Sequence, residues 1–197
     1  MPVYVIPKWG YNPYPFAIEI DTTSRGPSKD LSPFYLGPII DPLTTVRCHN
    51  MENFWQYSKV YQPHIGPDGR PTDEYWSWRT HGMAQTRAQR YPMGKDAKPE
   101  YSLSPTNGQP IGYVQARKEI YAPRYADLVS RTKTYANLYQ WFCVEGKPIV
   151  LRDFDGYDYI DMGVTLVNVI NYPHKSMGHA FVIAGMLTGQ LNAMINS

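Results

Sequence analysis

The chain has only two cysteines. Cys48 and Cys143 show neither C-x-x-C nor C-x-x-H spacing, so nothing supports a disulfide framework. They read as reduced thiols of a cytoplasmic protein. Long apolar runs are missing too. The longest near the C-terminus, residues 180–187, is far too short to cross a bilayer, so no membrane partner is expected. Residues 1–7 lack a basic region followed by an apolar core, and no signal peptide is expected. There is no Walker A loop, G-x-G-x-x-G, H-E-x-x-H or G-x-S-x-G, which argues against triphosphate hydrolysis, dinucleotide redox chemistry, zinc proteolysis and the familiar serine hydrolases. A large excess of charge of one sign is missing: 19 Lys and Arg stand against 17 Asp and Glu, a net charge of +2, and the pI is about 8.4. That balance is compatible with phosphate-bearing ligands but does not by itself indicate a nucleic-acid binder. Repeats, low-complexity segments and a convincing interdomain linker are also absent.

What is present describes a folded chain. Its 197 residues, 43% hydrophobic and 18% charged, suit one globular domain with a substantial core. The aromatic load is high, with 17 Tyr, 5 Trp and 6 Phe beside 18 Pro. Tyr and Trp combine apolar area with a polar handle, which suits walls that stack on bases or sugars as well as ordinary packing.

One stretch organises the rest. Residues 50–61 contain neither Gly nor Pro and lie between Pro42 and Pro63, so the pattern predicts a helix of about three turns. At 3.6 residues per turn, Glu52, Gln56 and Lys59 fall within about 40° of one another on one face. Phe54, Trp55 and Val60 are free to point elsewhere, into a core. The same spacing also suits a solvated surface helix.

Around it, short strands are expected at residues 3–6, 16–20 and 34–40, the last broken at Gly37-Pro38. A helix is expected over 72–89, with Thr72 as N-cap and Asp73 and Glu74 in its first turn. It carries Trp78 and Arg87. With Arg90 and Lys95, Arg87 makes a small cationic group suited to a phosphate or to a solvated face. A long helical stretch over 113–139 is bent or divided at Pro123. The strand at 149–152 runs into Asp153-Phe154-Asp155-Gly156, which places carboxylates at a strand end where reactive groups often sit. Regular calcium-ligand spacing is lacking there, so no metal is expected. Residues 165–171 form a short helix or strand. A terminal helix is expected over 175–187, with His179 near its start either facing a site or satisfied in the core.

The stretch Glu52-Asn53-Phe54-Trp55-Gln56-Tyr57-Ser58-Lys59 resembles the helix motif E-[HN]-aromatic-aromatic-Q-x-x-K of the NADAR family, N-glycosidases of NAD and ADP-ribose metabolism. Phe34-Tyr35-Leu36-Gly37-Pro38 looks like that family's aromatic-Gly strand. Residues 153–158 and 177–182 look like its acidic turn and final helix. The resemblance spans residues 34–187, with 1–33 as an N-terminal extension and 72–109 as a further addition. It implies an α+β fold, a mainly helical single domain with a small sheet. It also implies a cofactor-free hydrolase that cleaves ribose from a base nitrogen on an ADP-ribosylated nucleic acid or nucleotide. Glu52, Lys59, Asp153 and Asp155 would be catalytic. Tyr35, Gly37, Trp55, Gln56, Trp78, Arg87, Arg90 and His179 would bind substrate, with Tyr35, Trp55, Trp78 and the cations Arg87, Arg90 and Lys95 around one cleft and Glu52 and Lys59 sharing a pocket with Asp153 or Asp155. The alternatives are a nucleotide-binding module without catalysis and a DNA- or nucleotide-modifying glycosyl transferase.

Overall fold

A computed structural model describes residues 2–197. In chain order the elements are β1 (Val3–Pro7), β2 (Ile18–Asp21), β3 (Ile39–Ile40), β4 (Arg47–Cys48), α1 (Met51–Tyr57), β5 (Lys59–Val60), α2 (Asp73–Ala84), β6 (Tyr101–Leu103), β7 (Pro110–Ile111) and α3 (Tyr113–Ala116). A π-helical turn, Arg117–Tyr121, follows α3 and precedes α4 (Ala122–Val129), α5 (Lys133–Tyr139), β8 (Ile149–Asp153), α6 (Leu166–Val169), α7 (His179–Leu187) and α8 (Leu191–Asn196). The chain is therefore a mixture of helices and short strands. Its contacts divide it into two compact units, Met1–Ser32 with Ala122–Ser197, and Pro33–Tyr121. Among the described residues no helix is long and apolar enough to cross a membrane.

The first unit is built on β8. Ile149, Val150 and Leu151 are fully buried, as expected of a central parallel strand whose two faces are both covered. β1 and β2 flank it in parallel, with Val3 opposite Ile149 and Ile18 opposite the same residue from the other side. Residues that read as an N-terminal extension thus supply two of the three strands. Helix α7 is apolar nearly all round, as a buried helix should be, and packs against β1, β8, α4 and α8. Gly185 lets α8 approach, since a Cβ there would press on the Met194 sulfur. At the sheet edge Arg152 donates from Nε to Glu19 Oε1 at 2.5 Å, and Lys8 pairs with Asp21.

The second unit packs α1 against α2 beside the hairpin β3-β4 and the sheet β5-β6-β7. Val60, Tyr75 and Leu103 centre a small core, with Trp76, Trp78 and Tyr101 around it. Asp41 and Arg79, 0% and 1% exposed, form a two-pronged pair, Nε to Oδ2 at 2.9 Å and Nη2 to Oδ1 at 2.8 Å. The remaining Arg79 nitrogen, Nη1, donates to the Tyr57 carbonyl at the end of α1, where a cation suits the helix dipole.

Several expected boundaries move. The strand expected over 34–40 pairs only at Ile39 and Ile40, because the carbonyls of Pro33 and Leu36 instead take the first N–H groups of α1. Helix α1 is two turns long, not three. Ser58 Oγ donates back to the Phe54 carbonyl, and the chain then leaves to pair with β6, Lys59 opposite Ser102. Helix α2 stops at Ala84. The long stretch 113–139 is divided twice, by the π turn before Pro123 and by Thr132, whose side chain caps α5. Within residues 165–171 only Leu166–Val169 form a helix, α6, and residues 175–178 stay outside α7.

Gly82 lies on α2 directly against the Tyr57 ring, where a Cβ would overlap the ring carbons. Alanine is normally better than glycine inside a helix by about 1 kcal/mol. Here the overlap wins, and Gly82→Ala should lose about 1–3 kcal/mol. A urea midpoint equal to or above wild type would show that the two helices have room to part.

Candidate functional site

Helix α1 begins where Asn50 accepts the Asn53 N–H on its side chain at 2.8 Å, the usual N-cap geometry. Asn53 then acts away from its own helix. Its amide donates to the carbonyls of Gln85 and Arg87 at 2.9 and 3.1 Å and accepts the Gln89 N–H at 2.8 Å. Asn50 adds a bond to the Thr86 carbonyl. These two asparagines hold residues 85–89 in a loop, which is why α2 ends five residues before the expected limit.

Glu52 is 6% exposed and Gln56 8%. Gln56 Nε2 donates to Glu52 Oε1 at 2.9 Å, and the Lys59 ammonium donates to Gln56 Oε1 at 2.7 Å. Lys59 lies beyond the helix, yet the three side chains remain connected in a line. An ammonium fixes the amide, and the amide orients the carboxylate. In a site of low local dielectric such bonds polarise one another. Lys59 also sits over the Trp55 ring, 4.7 Å from its centroid.

The aromatic wall differs from the expected one. The Trp55 ring meets Tyr113 at 6.4 Å and Tyr121 at 5.2 Å. Arg117 stacks on Tyr113 with its guanidinium carbon 4.2 Å from the ring centroid. Trp78, expected beside Trp55, instead packs with Tyr57, His64, Tyr61 and Tyr75, at 4.5, 4.7, 6.1 and 6.0 Å. Its position three residues after Tyr75 on α2 points it into that small core. Tyr35 is 58% exposed on the loop whose carbonyls bind the Met51 and Glu52 N–H groups. Gly37 lies so close to the His49 carbonyl that any Cβ would clash, which gives it a backbone reason of its own. Arg87 and Lys95 are exposed, and Arg90 lies over the Tyr91 ring at 5.4 Å.

Asp153, Asp155 and His179 belong to the first unit, the other site residues to the second. Asp153 is 2% exposed. Its Oδ2 accepts the Ala180 N–H at 3.1 Å and lies 3.1 Å from His179 Nδ1. His179 Nε2 is 2.9 Å from the Thr22 carbonyl, so both ring nitrogens are engaged inside the unit. Gly178 makes room for the Asp153 carboxylate. Together these contacts anchor the start of α7 on the end of β8. Asp155 is partly buried beside it, its N–H directed at Asp153 Oδ1 at 3.5 Å. The Cys48 thiol is pushed up to about 12, mainly by burial, and is no nucleophile. Cys143 is exposed, and both thiols are free. Among the described residues no group of three or more His, Cys, Asp or Glu side chains is placed to hold a metal ion.

Sequence reasoning missed Tyr113, Arg117 and Tyr121. They stand four apart, aromatic, cation, aromatic, and that helical stripe was the available signal. The chain matches no protein-family model, no curated protein and no solved structure.

Proposed function

We propose that the chain is an N-glycosidase of the NADAR type, hydrolysing the bond between ribose and a base nitrogen on an ADP-ribosylated nucleobase in nucleic acid or nucleotide. The observation that carries this reading is the buried Glu52 carboxylate, oriented by Gln56 and Lys59 next to the Trp55 ring. Cleaving such a bond builds positive charge on the sugar. A desolvated, pre-aimed carboxylate stabilises that charge and takes a proton from the attacking water. Trp55 offers a face to the base, and the Lys59 ammonium holds a phosphate or supplies the proton that the departing base needs.

The test is to incubate the purified full chain with ADP-ribosylated DNA, RNA and nucleotide and to follow free ADP-ribose by chromatography. Release that rises with enzyme and saturates with one of these substrates is the expected result. Saturable binding of all three with no release would overturn hydrolysis in favour of a binding module.

A further inference from the structure

Two carboxylate residues in the second unit, Asp41 and Glu52, and two of its arginines, Arg79 and Arg117, are more than nine-tenths buried. Buried charges are tolerated when they are compensated. Asp41 and Arg79 compensate one another with two short hydrogen bonds. Glu52, which accepts the Gln56 amide, and Arg117 carry the other two charges, and the geometry of the rings says where the guanidinium points. Tyr113 and Tyr121 both touch the Trp55 ring. Arg117 lies midway between them, four residues from each, on the π turn Arg117–Tyr121 that continues α3. A side chain in the middle of a helical stripe faces the same neighbour as its two ends. That neighbour is α1, and one turn before Trp55 on α1 is Glu52. Tyr113 covers one face of the guanidinium, which leaves the N–H edge of the planar fork to meet a carboxylate. π turns inside helices often occur at functional sites.

We infer that Arg117 is the counter-charge of Glu52, a positioning residue that keeps this carboxylate ionised inside the second unit. The pairing itself does not depend on the glycosidase assignment, but its consequence for turnover rests on it. An ionised Glu52 acts as charge stabiliser and base, not as the acid that protonates the leaving group. That proton must then come from another group or from water.

A double-mutant cycle on unfolding tests the pairing without any substrate. Arg117→Met, Glu52→Gln and the double variant are compared in the full chain by urea denaturation. Stranding Glu52 with Arg117→Met should lower the folded-to-unfolded ratio by about 10²–10³-fold. The double variant should be at least about tenfold more stable than the two single losses predict by addition. Should Arg117→Met fail to fold alone, recovery of folding in the double variant supports the pairing equally. Arg117→Lys, which keeps the charge but not the fork, gives a second cycle with the same expected sign. Additive losses in both cycles overturn the inference. Turnover then separates the two proposals. Additive unfolding with an inactive Glu52→Gln leaves the glycosidase standing and removes Arg117 from it. Coupled unfolding with a fully active Glu52→Gln keeps the ion pair and removes Glu52 from catalysis, whereas absence of release from the wild type removes the glycosidase. In an active enzyme, Arg117→Lys should also move the acid limb of the pH–rate profile to higher pH, a shift that a merely structural arginine would not cause.

Discussion

Glu52→Gln is expected to lose turnover by at least about two orders of magnitude while the protein still folds cooperatively. General acid–base assistance is typically worth about 10²–10⁴ in rate, and removal of the charge that supports a sugar cation adds to that loss. Glutamine is nearly isosteric, and its carbonyl oxygen can still accept the Gln56 N–H that Glu52 now accepts at 2.9 Å. The substitution therefore removes charge more than shape. Some fall in melting temperature is expected, because the site is only 6% exposed and a buried charge balance is disturbed. Single-turnover assays belong well below the midpoint, on protein whose ligand binding has been measured. A variant that binds ADP-ribose as wild type does and cleaves at less than about one hundredth of its rate fits the assignment. A fully active Glu52→Gln would end the role of Glu52 as the catalytic carboxylate. Lys59→Ala, made in parallel, should weaken both binding and turnover, because it removes the ammonium over Trp55 and frees the Gln56 amide to rotate.

The largest stability effect is expected at Asp41. Asp41→Asn strands the Arg79 guanidinium, 1% exposed, and breaking one side of a buried pair costs about 3–5 kcal/mol. Arg79 also supports the Tyr57 carbonyl and the Tyr75 hydroxyl at 3.0 and 3.1 Å, so the loss should reach the contact between α1 and α2. The pair also sets a pH dependence. Burial alone would push the Asp41 carboxyl up, but the hydrogen bonds and charge of Arg79 overcome it and hold the group below the usual carboxylate range. A carboxyl lowered in the folded state contributes stability that is fully present above its unfolded pKa, about 3.9. That contribution is lost as the pH falls through the folded value. Urea midpoints taken from neutral pH down through about pH 4 and below should therefore fall more steeply for wild type than for Asp41→Asn. Parallel curves would show that the pair contributes nothing to the acid limb.

Some of this protein was determined by local sequence. Thr72 caps α2 as expected, and Asn50, not singled out as a cap, does the same for α1, because a side-chain oxygen one residue before a helix meets its orphan N–H groups whatever surrounds it. The apolar run at 149–151 is buried on both faces, and Glu52 and Gln56 meet because i,i+4 residues on a helix are neighbours. The caps and the Glu52–Gln56 contact join residues a few positions apart, where backbone geometry alone decides; the apolar run announced a covered strand, and the distant β1 and β2 flank it.

Only the tertiary structure decided the rest. α1 ends at Tyr57 because β6, more than forty residues on, offers a partner to Lys59 and Val60. α2 ends at Ala84 because Asn53 and Asn50 take the next carbonyls. Asp153 read as open to a ligand and His179 as facing a site or satisfied in the core; they meet one another and Thr22 across the chain. Trp78 was equally able to face a base or a core, since an aromatic ring suits both, and the choice fell to Tyr57 and His64. Arg117 was not singled out by the sequence. Its burial, with Tyr113 stacked on it, is what makes it a charge that needs an answering carboxylate. Desolvation, and with it the weight of a charge, is a property of the folded surroundings and not of the residue's place in the sequence.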